Sequence, residues 1–203
     1  MDKKIYSALL IGLGDIGLNY DLLTRKENLI QTHAKALHLH SGFELLGGVD
    51  IDIDACSKFT KTYDIESFNS LEDALLRFKP DLVILAIPTQ VHLETIKKII
   101  RHHKPLSILC EKPMGGDLGQ CQEITQICKK LDISLYTNYI RTCMPGGKKV
   151  KELIETSIIN SPMKCVVWYS KGLKHNGSHF INLMSYWFGN CIGINVIDKG
   201  RDF

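Results

Sequence analysis

The sequence predicts an α/β fold, in which a doubly wound parallel sheet is followed by a second, truncated α/β domain. Two observations support this prediction. Apolar runs of strand length alternate with helix-like stretches through about the first 140 residues, as they do where helices connect parallel strands. The first apolar run also leads directly into a glycine-rich turn and a helix, an arrangement typical of nucleotide-binding sheets.

The strands of the first domain are predicted from short apolar runs bounded by polar residues, glycine or proline. Strands buried on both faces of a parallel sheet are continuously apolar rather than alternating. By this criterion we expect strands at residues 5–11, 43–49, 82–87, 107–110 and 133–137.

The helices between these strands follow from composition and from capping residues. Ser70 precedes Glu72 and Asp73, and this order is typical of a first helical turn, because the serine hydroxyl accepts a hydrogen bond from a free backbone N–H. Helices are predicted at residues 52–63, 70–78, 90–102 and 117–131.

The pattern changes after about residue 140, where the predicted elements become few. Two strands and two helices make a thin sheet domain, so we divide the chain into a first domain, 1–140, and a partial second domain, 141–203. Its sheet would have an open edge and apolar residues on both faces, which favours self-association into a homo-oligomer. The predicted elements are helices at 146–158 and 180–188 and strands at 163–170 and 192–197.

The glycine-rich turn reads Gly12-Leu13-Gly14-Asp15-Ile16-Gly17. In such a turn the first glycine permits the tight bend, the second lets the backbone approach a pyrophosphate, and the third lets helix and strand pack closely. The helix that begins at Asp15 and Ile16 would then point its N-terminus at the phosphates. We therefore predict that the turn binds a dinucleotide, although a merely structural glycine turn is the alternative.

The acidic residue that usually accompanies such a turn is identified as Asp50, at the end of the second strand. It lies 33 residues beyond Gly17 rather than about 20, so residues 19–32 look like an insertion. Because Ile51 follows and no arginine stands ready for a 2′-phosphate, Asp50 favours NAD over NADP. Capping of the next helix by Asp50 or Asp52 is an alternative role, and both roles are compatible.

Lys112 is the strongest candidate for a catalytic residue. It lies in Glu111-Lys112-Pro113, directly after the strand at 107–110. Ligands of open parallel sheets bind beyond the carboxyl ends of the strands, so Lys112 is expected to face the cofactor. A solvated surface lysine is the alternative.

Together these motifs resemble the Gfo/Idh/MocA oxidoreductases, the relatives of glucose-fructose oxidoreductase and inositol dehydrogenase. The resemblance implies a Rossmann domain, an α/β substrate domain on an open sheet, and nicotinamide-dependent redox chemistry on sugars or polyols. It also implies further strands beyond the length of this chain. The matching motifs are the glycine turn, Ala86-Ile87-Pro88-Thr89 with His92, Glu111-Lys112-Pro113, Asn138-Tyr139-Ile140-Arg141, and Lys171-Gly172-Leu173-Lys174-His175-Asn176-Gly177-Ser178-His179.

The resemblance also implies roles for individual residues. Lys112 corresponds to the lysine near the reacting hydroxyl and the nicotinamide ribose, and His179 to the proposed acid/base. His175 occupies the place where the family often has an aspartate, and this variant looks like that of polysaccharide and nucleotide-sugar enzymes. Further cofactor contacts are expected from Ile87, Pro88, Thr89, His92 and Glu111, and substrate contacts from Arg141, His175, Asn176 and Asn182.

Two functions therefore remain open. The first is an NAD-dependent dehydrogenase of a sugar, polyol or nucleotide sugar, in which His179, with an ordinary pKa of about 6.5, takes the hydroxyl proton alone or with Lys112. The second is a nucleotide-binding remnant that has lost turnover, in which His179 is a buried structural histidine.

Composition excludes several other classes of function. A net charge of +3, without a basic run among aromatics, gives no support to nucleic-acid binding. The N-terminus does not resemble a signal peptide and no apolar stretch is long enough to span a bilayer, so the expected location is cytoplasmic, away from membranes. Seven cysteines without a Cys-x-x-Cys pair predict reduced thiols and no metal site.

Overall fold

The computed structural model describes residues 4–23 and 28–197. The chain forms two compact units, which divide between Thr137 and Asn138. The assignment of residues 1–140 and 141–203 to separate domains stays a prediction, and the two units are described in turn.

The first unit contains a parallel sheet, as the sequence predicts. Its strand order is β3-β2-β1-β4-β5-β6, and every neighbouring pair is parallel. The chain therefore winds outward in one direction from β1 and then in the other direction from β4. The crevice beyond the carboxyl ends of β1 and β4 is where such sheets bind ligands. Within the described residues the strands are β1 Tyr6–Ile11, β2 Phe43–Val49, β3 Ser67–Phe68, β4 Leu82–Leu85, β5 Ser107–Cys110 and β6 Ser134–Thr137.

The structure of the first unit confirms all four predicted helices. Ser70 accepts a hydrogen bond from the backbone N–H of Asp73, as expected of a cap, and Asp52 and Asp117 cap the helices that they precede. Two elements were not predicted: the two-residue strand β3 and helix α2, which follows the 19–32 segment. The helices are α1 Tyr20–Leu23, preceded by a π-helical turn Asp15–Asn19, then α2 His33–Leu39, α3 Ile53–Tyr63, α4 Leu71–Arg77, α5 His92–His102 and α6 Leu118–Lys130.

Helices cover both faces of the sheet, which explains why its strands are continuously apolar. Leu9 and Ile11 of β1 are buried in one cluster with residues of α4, α5 and α6. Ala8 and Leu10, which point to the opposite face, are buried in a second cluster with residues of α2 and α3, including Phe59. The core thus holds the strand ends rigidly, and the loops beyond those ends are positioned by it.

The regular elements of the second unit are all helical within the described residues, and here two predictions are wrong. Residues 163–170 and 192–197 run without strand pairing in the described part of the chain, although their composition is strand-like. A strand needs a partner to satisfy its backbone N–H and C=O groups, and neither segment pairs with the other. Val166 and Trp168 are 77% and 89% exposed. The helices are α7 Pro145–Glu155 and α8 Ser178–Phe188.

Among all the described helices, none combines the length and the apolar character that a membrane crossing demands.

Candidate functional site

The three glycines of the turn meet different surroundings. Gly12 has a φ of +98°, and a side chain there would overlap the carbonyl oxygen of Ala86. A side chain on Gly17 would overlap the carbonyl oxygen of Gly12. The fold itself therefore requires both glycines. At Gly14 no atom lies within 4 Å of the position that a Cβ would occupy, so the fold leaves open space at the middle glycine.

Asp50 holds this turn against the end of β2. One carboxylate oxygen accepts a hydrogen bond from the backbone N–H of Leu13 at 2.7 Å, and the other from the N–H of Asp52 at 3.0 Å. Asp52 caps α3 by accepting from the N–H of Asp54. The sequence left open whether Asp50 or Asp52 caps α3. In the structure Asp52 is the capping residue, and Asp50 contacts the glycine turn instead. The next side chain, Ile51, is exposed.

The turn continues into the π-helical segment Asp15–Asn19. The backbone N–H groups of Leu18 and Asn19 both donate to the carbonyl oxygen of Gly14, at 2.8 and 3.1 Å. Asp15 is exposed and Ile16 is half-buried. The start of this segment therefore lies at the surface of the protein.

His92 lies behind the site rather than on its surface. It is fully buried; its Nε2 lies 3.0 Å from the carbonyl oxygen of Ile87 and its Nδ1 lies 3.1 Å from that of Met114. The ring thereby connects the loop after β4 to the loop after β5. Direct contact between His92 and a ribose, which the resemblance implies, requires exposure that this side chain lacks. Pro88 is exposed, and Ile87 and Thr89 are half-buried.

Glu111 and Lys112 follow β5 and are both half-buried. Burial lowers the pKa of the Lys112 ammonium below its ordinary value, and the charge of Glu111 opposes this effect. Lys112 therefore does not have the environment of a solvated surface lysine. Glu111 also pairs with His33, the first residue of α2, with Nε2 and Oε1 2.8 Å apart. His33 was not predicted as a site residue. The available signal was its position directly after a threonine that can cap a helix.

The second unit brings together several predicted substrate residues. The ring of His179, on α8, packs edge-on against that of Tyr139 at 5.7 Å between centroids. The guanidinium of Arg141 lies 4.6 Å from the ring centroid of Phe180. Asn182 is on α8, three residues after His179. Among the described residues, Arg141 Nε and Asn182 Oδ1 are buried without a hydrogen-bond partner, and such polar atoms normally have one.

His175 and Asn176 lie on a π-helical turn, Gly172–Gly177, that leads into α8. His175 is exposed and Asn176 is half-buried. This turn is tied to the helix by Ser178, whose hydroxyl donates to the carbonyl oxygen of Lys174 at 2.8 Å. The two predicted contacts therefore lie on the turn that precedes α8 and not on the helix itself.

The predicted residues thus form two groups, one in each unit. In the first unit, the glycine turn, Asp50, the 86–89 loop and Lys112 all follow the carboxyl ends of β1, β2, β4 and β5. In the second unit, Arg141, His179 and Asn182 lie on or beside α8. The first group has the form of a dinucleotide site, and the second offers a histidine together with amide and guanidinium groups for a polar ligand.

Comparison with known proteins agrees with this geometry. A family model described as an oxidoreductase family with an NAD-binding Rossmann fold matches residues 8–139. Glucose-6-phosphate 3-dehydrogenase of Bacillus subtilis is 30% identical over 143 residues, which are 70% of this chain and 40% of that protein.

Two solved structures share the fold. The WlbA dehydrogenase of Chromobacterium violaceum, in complex with NADH and UDP-GlcNAcA, has a TM-score of 0.71 and 19% identity, covering 93% of this chain and 56% of that one. A 3-ketoreductase of Actinomadura kijaniata, in complex with NADP, has a TM-score of 0.72 and 19% identity, covering 92% and 56%. The aligned part spans only 22% to 43% of the curated relatives.

Proposed function

Because the chain belongs to the Gfo/Idh/MocA oxidoreductase family, we propose that it uses NAD to transfer a hydride between nicotinamide and a hydroxyl carbon of a sugar, polyol or nucleotide sugar. The observation that supports this best is the open space at Gly14. The fold demands the other two glycines of the turn, whereas it gives no reason for the absence of a side chain at Gly14. A pyrophosphate approaching the backbone supplies that reason.

The residues around the turn fit a dinucleotide. Each oxygen of Asp50 accepts one backbone hydrogen bond and has a further lone pair for a ribose hydroxyl. The half-buried Ile87 and Thr89, with the exposed Pro88, form the neighbouring wall at the end of β4. Bound nicotinamide would supply the hydride acceptor or donor. Glu111 would act from the end of β5 by setting the environment of Lys112.

The chain's own residues then handle the substrate and its proton. Lys112, with a pKa lowered by burial, and His179 are the groups that can exchange a proton with the substrate hydroxyl. Arg141 and Asn182 would orient the substrate, because their buried polar atoms gain the hydrogen bonds that the described protein does not give them. His175 and Asn176 would extend the contact toward a larger substrate such as a nucleotide sugar.

A non-catalytic dinucleotide-binding protein is the second candidate. It is favoured by one observation: the described part of the second unit contains no strand pairing, so the expected substrate sheet is missing from it. The purified protein should first be searched by mass spectrometry for bound dinucleotide and then screened for hydride transfer across sugars and nucleotide sugars. If the protein binds dinucleotide but transfers hydride to or from no substrate, the non-catalytic candidate is supported. If it does not bind dinucleotide, both candidates are rejected.

The cofactor preference is tested by titration calorimetry with NADH and NADPH. We expect NADH to bind at least about tenfold more tightly than NADPH, because the Asp50 carboxylate repels a 2′-phosphate. This is a difference in binding free energy of about 1.4 kcal/mol. Asp50→Asn retains an oxygen for the Leu13 N–H and should bring the two affinities within about threefold. Asp52→Asn removes a charge two residues away and serves as the control. Equal affinities in the wild type would reject the preference for NAD.

Self-association is also proposed, now because of exposed apolar side chains rather than an open sheet edge. Trp168 is 89% exposed and Ile194 83%, and apolar surface of this kind seeks a partner. We expect light scattering at micromolar concentration to detect a homo-oligomer, and Trp168→Glu to shift it toward the monomer. Leu76→Glu, at an exposed leucine of α4, is the matched control. A wild-type monomer would contradict the proposal.

A further inference from the structure

The far end of the 19–32 segment is firmly anchored to Asp21. The buried Asp21 accepts hydrogen bonds from the backbone N–H of Thr32 at 2.8 Å, from its hydroxyl at 2.6 Å, and from the N–H of Gln31 at 3.1 Å. Burial alone would raise the pKa of Asp21, but these hydrogen bonds and the charge of Lys35 lower it overall. Asp21 is therefore a carboxylate that fixes residues 31 and 32 beside α1.

This anchor sets the start of α2. Thr32 caps the helix by accepting from the N–H of Lys35 at 3.3 Å, while the Lys35 ammonium donates to the carbonyl oxygen of Leu29 at 2.7 Å and lies 3.8 Å from Asp21. The backbone is therefore held by hydrogen bonds both before and after His33, the first residue of the helix. The hydrogen bonds of Asp21, Thr32 and Lys35 therefore set the direction in which the helix begins.

His33 points at the residue next to Lys112. Its Nε2 lies 2.8 Å from Glu111 Oε1, with only 11% and 15% of the two side chains exposed. Water therefore screens the pair weakly. Glu111 is itself held by its backbone N–H, which donates to the carbonyl oxygen of Leu85 at 2.9 Å. The adjacent Cys110 thiol, whose pKa burial raises to about 11, stays uncharged at neutral pH, so it adds no second negative charge beside Glu111.

We propose that His33 is a positioning residue for Lys112: by hydrogen-bonding the Glu111 carboxylate it weakens the hold of that carboxylate on the ammonium, and Asp21 with residues 31 and 32 keeps His33 in place. This rests on the proposed role of Lys112 in proton exchange. Glu111 is the group that opposes the lowering of the Lys112 pKa by burial. With Glu111 engaged by His33, Lys112 gives up its proton more readily.

The test measures Lys112 directly and needs neither cofactor nor turnover. Lysines of the full chain are reductively methylated with ¹³C-formaldehyde, the Lys112 signal is assigned with Lys112→Arg, and its pKa is read from an NMR titration. We expect His33→Phe, which removes the hydrogen bond to Glu111, to raise the Lys112 pKa by about 0.5 unit or more. His33→Gln retains a donor and should restore part of the shift. An unchanged pKa in His33→Phe would overturn the proposal.

Two further variants separate action through Glu111 from a general loosening of the fold. His38→Phe alters an exposed histidine of the same helix and should leave the Lys112 pKa unchanged. In a Glu111→Gln background, His33→Phe should have no further effect on the Lys112 pKa, because the carboxylate that His33 binds is gone; a shift that persists there refutes the assigned route. The Glu111→Gln background also provides a measurable Lys112 pKa if His33→Phe alone folds poorly.

The measured Lys112 pKa does not depend on turnover, so a failure of this proposal can be told apart from a failure of the proposed function. A shifted Lys112 pKa in a protein that transfers no hydride supports the role of His33 and rejects the dehydrogenase. If turnover is found, a higher Lys112 pKa should move the rising limb of kcat/KM to higher pH, because the deprotonated amine is the form that accepts a proton.

Discussion

Alanine at Gly12 is expected to destabilise the protein by about 4 kcal/mol. Two effects add at this position. A φ of +98° is strained for any residue with a side chain, and the added Cβ would overlap the Ala86 carbonyl oxygen and lie 2.6 Å from its carbon. The strand β4 cannot move aside, because the Ala86 N–H donates to the carbonyl oxygen of Ile11 at 2.7 Å. Urea unfolding followed by circular dichroism measures the loss.

Gly14→Ala is the matched variant, since it makes the same chemical change two residues along the same turn. With no atom within 4 Å of the new Cβ, its stability should lie within about 0.5 kcal/mol of the wild type. Dinucleotide affinity should nevertheless fall at least about tenfold, because the methyl group occupies the space proposed for the pyrophosphate. Equal stability losses at Gly12 and Gly14, or full affinity in Gly14→Ala, would contradict this division of roles.

Loss of Lys112 or His179 is expected to have the largest effect on catalysis. Lys112→Ala and His179→Ala should each lower kcat by about a hundredfold or more, the usual scale for a positioned acid or base, while dinucleotide binding changes far less. Steady-state kinetics on the substrate found by the hydride-transfer screen, together with cofactor titration, separate the two effects.

Suitable controls exist for both residues. Lys104→Ala removes an exposed lysine at the opposite end of β5 and should leave kcat unchanged. His179→Gln keeps a polar side chain against the Tyr139 ring and distinguishes lost chemistry from lost packing. If His179→Ala retains full activity with unchanged stability, His179 is structural and the proton acceptor lies elsewhere.

The sequence was sufficient to predict five of the six described strands of the sheet and the edge at which the candidate site lies. Continuous apolar runs identify strands buried on both faces, and the structure confirms all five predicted strands of the first unit to within two residues at each end. These signals are local, because burial and capping constrain the types of residues that follow one another in the chain. The glycine turn is likewise local: its strand, its bend and its helix are adjacent in the chain.

The contacts that define the candidate site were decided by tertiary structure. His33 and Glu111 are 78 residues apart, and His92 meets Met114 across two loops, so no spacing in the sequence reveals either contact. The same reason explains why the strands predicted at 163–170 and 192–197 are wrong. Those predictions relied on β propensity, which does not show whether a partner strand is present. The sequence by itself determined which segments can be buried and where the chain turns; only the tertiary structure decided which distant side chains meet, because pairing depends on neighbours that the local pattern does not contain.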